Sequence, residues 1–187
     1  MLNKITAPIV LPITLEQVKA HLRLDHADED NYLMFLIQSA TEAVQNYVGR
    51  SLITQTWQKV FYQSQRYSCR ISKQPILPII ISLPYPPLLK INSIMGCGVN
   101  KTPLAITRYD LKFNGDLALI EIDQSLERIE VKYDAGYGDR PEDIPADIRQ
   151  AILQLTALCY QKRQSFPLED EPYLVSLMQP YRIFRQV

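Results

Sequence analysis

Residues 133–145 read Tyr133-Asp134-Ala135-Gly136-Tyr137-Gly138-Asp139-Arg140-Pro141-Glu142-Asp143-Ile144-Pro145 and run directly into Ala146–Arg163, the strongest helical pattern in the chain. Ile148, Ile152, Leu155 and Cys159 recur at steps of four, three and four, and Ala151 and Leu158 widen that stripe into a face. Arg149, Gln150, Gln154 and Gln161 fall mostly elsewhere. Pro145 suits a first helical position, because its fixed φ is already helical and its missing N–H would have no partner there. Glu142 and Asp143 near the start, and Lys162 and Arg163 at the end, match the helix macrodipole. Burying each Ile or Leu of such a face contributes about 1.5–3 kcal/mol before chain entropy is subtracted. The helix therefore needs apolar partners.

The N-terminal part of the chain supplies them. Residues 1–12 read as extended, with Pro8 and Pro12 opposing helix. Thr14 with Gln17 has capping-box spacing, and Ile13 with Val18 has that of a hydrophobic staple. The short helix that follows carries Leu15, Val18 and Leu22 on one side. Asp25-His26-Ala27-Asp28 breaks it, and Asp28-Glu29-Asp30 opens a second helix with favourable N-terminal charge. Its face is Leu33, Leu36, Ile37, Ala40, Val44 and Tyr47, and Gly49 is its stop. Three helices thus form a core split by a long intervening segment.

That segment reads as β. Ile53–Tyr62 is β-branched and aromatic, and Ile79–Leu83 and Leu88–Ile94 flank the rigid turn Pro84-Tyr85-Pro86-Pro87. Gly96-Cys97-Gly98 reads as a further turn. Tyr109–Phe113, Leu117–Ile122 and Arg128–Tyr133 are three more strands, with Asn114-Gly115 as a tight hairpin turn. Past Arg163 come the acidic Glu169-Asp170-Glu171, a short helix through Met178 and a tail with Tyr181, Ile183 and Phe184. Apolar residues there call for cover, on the same fold or on a partner. The fold class is α+β. A small three-helix core (13–49 and 143–164) carries an inserted antiparallel β sandwich or partial barrel (50–136) between helices two and three, and a C-terminal docking tail (165–187) follows.

Composition narrows the function by exclusion. The chain has 187 residues, 47% of them hydrophobic, which is enough for one domain with a real core. Twenty basic and twenty acidic side chains cancel, so no nucleic-acid footprint is expected. Cys69, Cys97 and Cys159 are widely spaced, which argues for reduced thiols packed as small core hydrophobes. Met1–Pro12 lacks the pattern of a secretory signal, and the most apolar window, Ile76–Leu83, is too short to span a bilayer. We therefore expect a soluble, intracellular chain with no membrane partner.

No catalytic constellation emerges. His21 and His26, with Asp25 and Glu29 nearby, are spaced by five and do not share a helical face, so they read as surface histidines and no metal is expected. Gly96-Cys97-Gly98 and Gly136-Tyr137-Gly138 lack the rest of a phosphate loop. Asp139, Glu142 and Asp143 could imitate an acid–base pair, but their place at a helix start already accounts for them. Asn100-Lys101-Thr102 matches a glycosylation acceptor without a secretion signal. Neither an enzyme nor a cofactor is indicated.

Taken in order, several stretches resemble the head–tail connector (adaptor) proteins of tailed phages, which also occur in prophages and gene transfer particles. They are Ile13-Thr14-Leu15-Glu16-Gln17-Val18-Lys19-Ala20-His21-Leu22-Arg23-Leu24-Asp25, Asp28-Glu29-Asp30 and Gly49-Arg50-Ser51-Leu52-Ile53-Thr54-Gln55-Thr56-Trp57. Leu83-Pro84-Tyr85-Pro86-Pro87-Leu88, Val131–Gly138, Ile144–Ile152 and Pro180-Tyr181-Arg182 continue the match. Ile71–Ile81 and Lys101–Leu126 follow it only loosely.

The resemblance implies a virion structural protein, made in the bacterial host cytoplasm and placed at the capsid vertex or neck. Such subunits form a ring, usually of twelve copies, beneath the portal protein. DNA passes through without sequence-specific binding, and a head-closure (stopper) or tail protein docks below. In these proteins the C-terminal segment engages the portal, which would give Pro180, Tyr181, Arg182, Ile183 and Phe184 a purpose. The alternatives are another neck or tail-completion protein, or an intracellular ligand-binding module with a site between sheet and helices.

Overall fold

The computed structural model describes residues 1–62, 78–98, 102–124, 126–163 and 168–183. Cys69, Asn100, Lys101 and Phe184, singled out above, lie outside them. The chain divides into two units: Met1–Ala7 with Gln55–Gly136, and Pro8–Thr54 with Tyr137–Val187.

The helical unit begins with α1 (Leu15–Leu22). Thr14 closes a reciprocal capping box with Gln17: Gln17 N donates to Thr14 Oγ1 over 3.2 Å, and Thr14 N donates to Gln17 Oε1 over 2.9 Å. α2 (Asp30–Val48) buries Leu33, Leu36, Ile37, Ala40, Val44 and Val48, and Gly49 ends it with φ 71. α3 (Ala146–Lys162) buries Ile148, Ala151, Ile152, Leu155, Thr156 and Ala157. The Thr156 hydroxyl is satisfied by Ile152 O at 2.8 Å, which is why a polar residue can lie inside this face.

Three boundaries differ from the sequence expectation. Pro145, with ψ 137, is extended and stands just before α3; it does not take its first helical position. Arg163 leaves the helix in the left-handed region, φ 51. Asp143, expected at the head of the third helix (143–164), belongs to a separate 3-10 turn, Pro141–Asp143, in which it faces Arg140.

The helical core has a fourth member. α4 (Pro172–Met178) contributes Leu174 and Met178, both buried among Ile13, Val18, Ile37, Val44 and Ile148. The expected three-helix core is thus one helix short, because α4 spans only two turns and its apolar spacing is too brief to read as a face. Residues 50–54, assigned above to the β insertion, also stay with the helices: Leu52 and Ile53 are buried in this core.

The β unit is two antiparallel sheets sharing one apolar interior. The first has strand order β1-β2-β8-β4-β5: β1 (Leu2–Thr6), β2 (Gln55–Tyr62), β8 (Arg128–Ala135), β4 (Leu88–Cys97) and β5 (Pro103–Ala105). The second is β3-β7-β6: β3 (Ile79–Leu83), β7 (Leu117–Ile122) and β6 (Asp110–Asn114). β8 turns Ile129, Val131, Tyr133 and Ala135 inward, against Ile79, Ile81 and Leu83 of β3 and Ala118, Ile120 and Ile122 of β7. That strict alternation fits a strand with one face on a core. In the turn between β3 and β4, Tyr85 adopts φ 60 and stacks on Trp57, with ring centroids 4.4 Å apart and planes within 2°.

This sandwich is not a pure insertion. β1 comes from the chain's start and pairs with β2, Leu2 opposite Lys59 and Lys4 opposite Trp57. Gly96 and Cys97, expected as a turn, are the last residues of β4 and pair with both β5 and β8. Gly96 is there for space: a Cβ would lie 2.7 Å from Ile106 Cδ1 and 2.9 Å from Leu126 Cδ1. The β6–β7 hairpin turns on Gly115 and Asp116, one residue beyond the expected Asn114-Gly115, because Asn114 pairs with Leu117.

Candidate docking site

The stretch Gln179–Ile183 leaves α4 as a 3-10 turn (Gln179–Tyr181) and returns to the C-terminal end of α2. The sequence makes it leave: Pro180 has no N–H to continue the α4 ladder. Arg182 N then bonds Gln179 O at 3.2 Å, closing the turn.

Four contacts seat this stretch within the helical unit. Ile183 N donates to Val48 O over 2.9 Å. Arg50, only 7% exposed, donates from Nε to Tyr181 O over 2.5 Å. The guanidinium of Arg182 lies 4.5 Å from the centre of the Tyr47 ring, and its Nη1 is 3.4 Å from the Tyr47 hydroxyl. The Tyr181 hydroxyl donates to Asp147 Oδ2, in the first turn of α3, over 3.1 Å. Burial, with the Asp147 bond second, raises the Tyr181 hydroxyl above its ordinary pKa.

Gly49 makes the approach possible. Its φ of 71 is the left-handed C-cap conformation, and a Cβ there would meet Ile183 O at 3.0 Å. One glycine thus both ends α2 and admits the returning chain.

Of the residues expected to dock, Pro180 is exposed, and Tyr181, Arg182 and Ile183 are half-buried on the seat just described. The seat itself was not foreseen. Gly49 was legible as a helix stop, but nothing local marks Arg50, Tyr47 or Asp147 as partners of residues some 34 to 135 positions away.

Elsewhere, His21 and His26 are exposed, and the described residues contain no group of three or more metal-ligating side chains. Cys159 is half-buried, and burial raises its thiol pKa, away from nucleophile character. Among the described residues no helix is long and apolar enough to cross a membrane.

A model of the head completion protein family matches residues 12–167, most of the chain. The chain belongs to the head completion protein family. No curated protein sequence matches it. Among solved structures, a chain from the neck of an empty gene transfer agent particle, computed with C6 symmetry, superposes with a TM-score of 0.76 at 20% identity. A chain from the virion of a native gene transfer agent particle gives 0.75 at 19%, and one from the neck of the native particle, computed with C12 symmetry, 0.72 at 20%. Each comparison covers 100% of this chain and 97% of the other. At such identities the likeness establishes the α+β fold, and family membership makes this head completion protein a structural component of the virion.

Proposed function

We propose that this protein is a head–tail connector subunit that assembles as a ring under the portal, joins the capsid vertex to the next neck or tail component, and catalyses no reaction. The observation that carries the reading is the family match over residues 12–167 on a fold shared with neck chains of particles imaged with six- and twelve-fold symmetry. A ring needs heterologous contacts, one face of a subunit meeting a different face of its neighbour. A formal net charge of zero suits a channel through which DNA must pass without being held. In this reading Pro180, Tyr181, Arg182, Ile183 and Phe184 form the portal-docking element, and a head-closure or tail protein binds the opposite end of the ring.

The test is reconstitution with the portal protein of the same particle. A ring on the portal is expected by electron microscopy, and deleting residues 180–187 should abolish co-purification. Particles whose portal vertex lacks this polypeptide would refute the reading.

A further inference from the structure

We infer that the terminal stretch Gln179–Ile183 is ordered on its seat before any partner arrives, and that Tyr47, Gly49, Arg50 and Asp147 are positioning residues for docking. The inference rests on the portal-docking reading above and adds how the docking element is held and which of its atoms remain to be recognised.

Main-chain bonding decides the second point. The carbonyl of Gln179 is taken by Arg182 N, that of Tyr181 by Arg50 Nε, and the N–H of Ile183 by Val48 O. Pro180 has no N–H to offer. Strand addition, in which a partner reads successive main-chain groups, is disfavoured by these pairings. Side chains are then what the partner reads, above all the exposed Pro180 and the half-buried Tyr181 and Arg182.

Order before docking follows from how the contacts are distributed. The seat uses three separate parts of the helical unit: the last turn of α2 (Tyr47 and Val48), Gly49 and Arg50 after it, and Asp147 at the start of α3. Tyr181 also packs against the helical core, three residues after Met178, which is wholly buried. Releasing the stretch would take from the buried Arg50 its Tyr181 partner. A docking element fixed in advance spares the partner the entropy of ordering it.

The experiment uses the full chain. In the absence of portal, hydrogen exchange at the Arg182 and Ile183 amides should be slowed as it is in α4; exchange at the rate of an unfolded peptide would overturn the inference. Gly49→Ala should speed exchange at those amides and weaken portal binding by roughly tenfold to a hundredfold, the cost of ordering a few residues anew. Should Gly49→Ala not fold, the Tyr47→Leu/Asp147→Ala double variant removes two side-chain contacts and leaves the αL glycine intact, with the same expected outcome. If a variant unseats the stretch yet binds portal as tightly as the parent, while deletion of 180–187 abolishes binding, the inference alone falls. Unchanged binding by the deleted chain would sink the portal assignment, and the inference with it.

Discussion

Arg163 Nη2 donates to Glu29 Oε1 across 2.5 Å, joining the residue that ends α3 to the one that precedes α2, 134 positions earlier. The same guanidinium lies 4.9 Å from the centre of the Tyr32 ring and 5.0 Å from that of Tyr160, and the Tyr160 hydroxyl also bonds Glu29. The left-handed conformation of Arg163 turns its side chain back into this cluster, which pins α2 to α3 at the end opposite Gly49.

Glu29 makes the acid limb of stability testable. The Tyr160 hydroxyl, and then Arg163, hold its carboxyl below the ordinary value of 4.5. The unfolded chain therefore binds that proton more tightly. The contribution is complete above the ordinary value and fades as pH falls through the lower folded one. Glu29→Gln should melt somewhat lower than the parent at neutral pH and show a flatter decline between about pH 5 and 3. Parallel melting-temperature profiles for the two proteins would disprove the assignment.

The alkaline limb belongs to Tyr133. Its hydroxyl donates to Pro84 O over 2.7 Å in the β interior, and burial pushes its pKa far above the ordinary 10.0. Here the folded chain holds the proton more tightly, so stability is complete below that ordinary value and declines as pH rises above it. Tyr133→Phe should cost about 1–2 kcal/mol at neutral pH by leaving the Pro84 carbonyl without this donor. It should also make the alkaline decline shallower. Urea titrations at neutral and alkaline pH measure both effects.

Loss of the reciprocal cap at Thr14 should be visible without any partner. Thr14→Ala should destabilise by about 1 kcal/mol, and Thr14→Ser should recover most of it, because either hydroxyl can accept from Gln17 N. Equal stability of the alanine and serine variants would show that the cap contributes nothing.

Ile152, wholly buried in the helical core, provides the packing test. Ile152→Ala should cost about 2–5 kcal/mol and Ile152→Val about 0.5–1.5 kcal/mol, scaling with the void each leaves. Phe35, 62% exposed on α2, serves as the contrast, its change to Ala staying within about 0.5 kcal/mol. Denaturant midpoints at constant slope give all three.

The features legible in the sequence were those whose cause lies within one or two helical turns. The Thr14–Gln17 cap, the stop at Gly49, the buried stripe of α2 and the strand over Arg128–Tyr133 all arise between residues close along the chain, where spacing and side-chain chemistry suffice. The β5 strand, three residues long and wholly exposed, carries no such signal. Gly96 shows how a local rule misleads: its flexibility suggests a turn, whereas the side chains of Ile106 and Leu126 demand its smallness inside a strand.

By itself, then, the sequence determined two classes of element, the order in which they occur and the family whose pattern they follow. Tertiary structure decided that Leu2–Thr6 joins the β unit, that α4 completes the helical core, and that Tyr181–Ile183 lie against Tyr47–Arg50. Each of those depends on groups from distant parts of the chain meeting to satisfy main-chain bonds or cover apolar surface. Such meetings are chosen by the energy of the whole packed unit, and no window of neighbouring residues contains both partners.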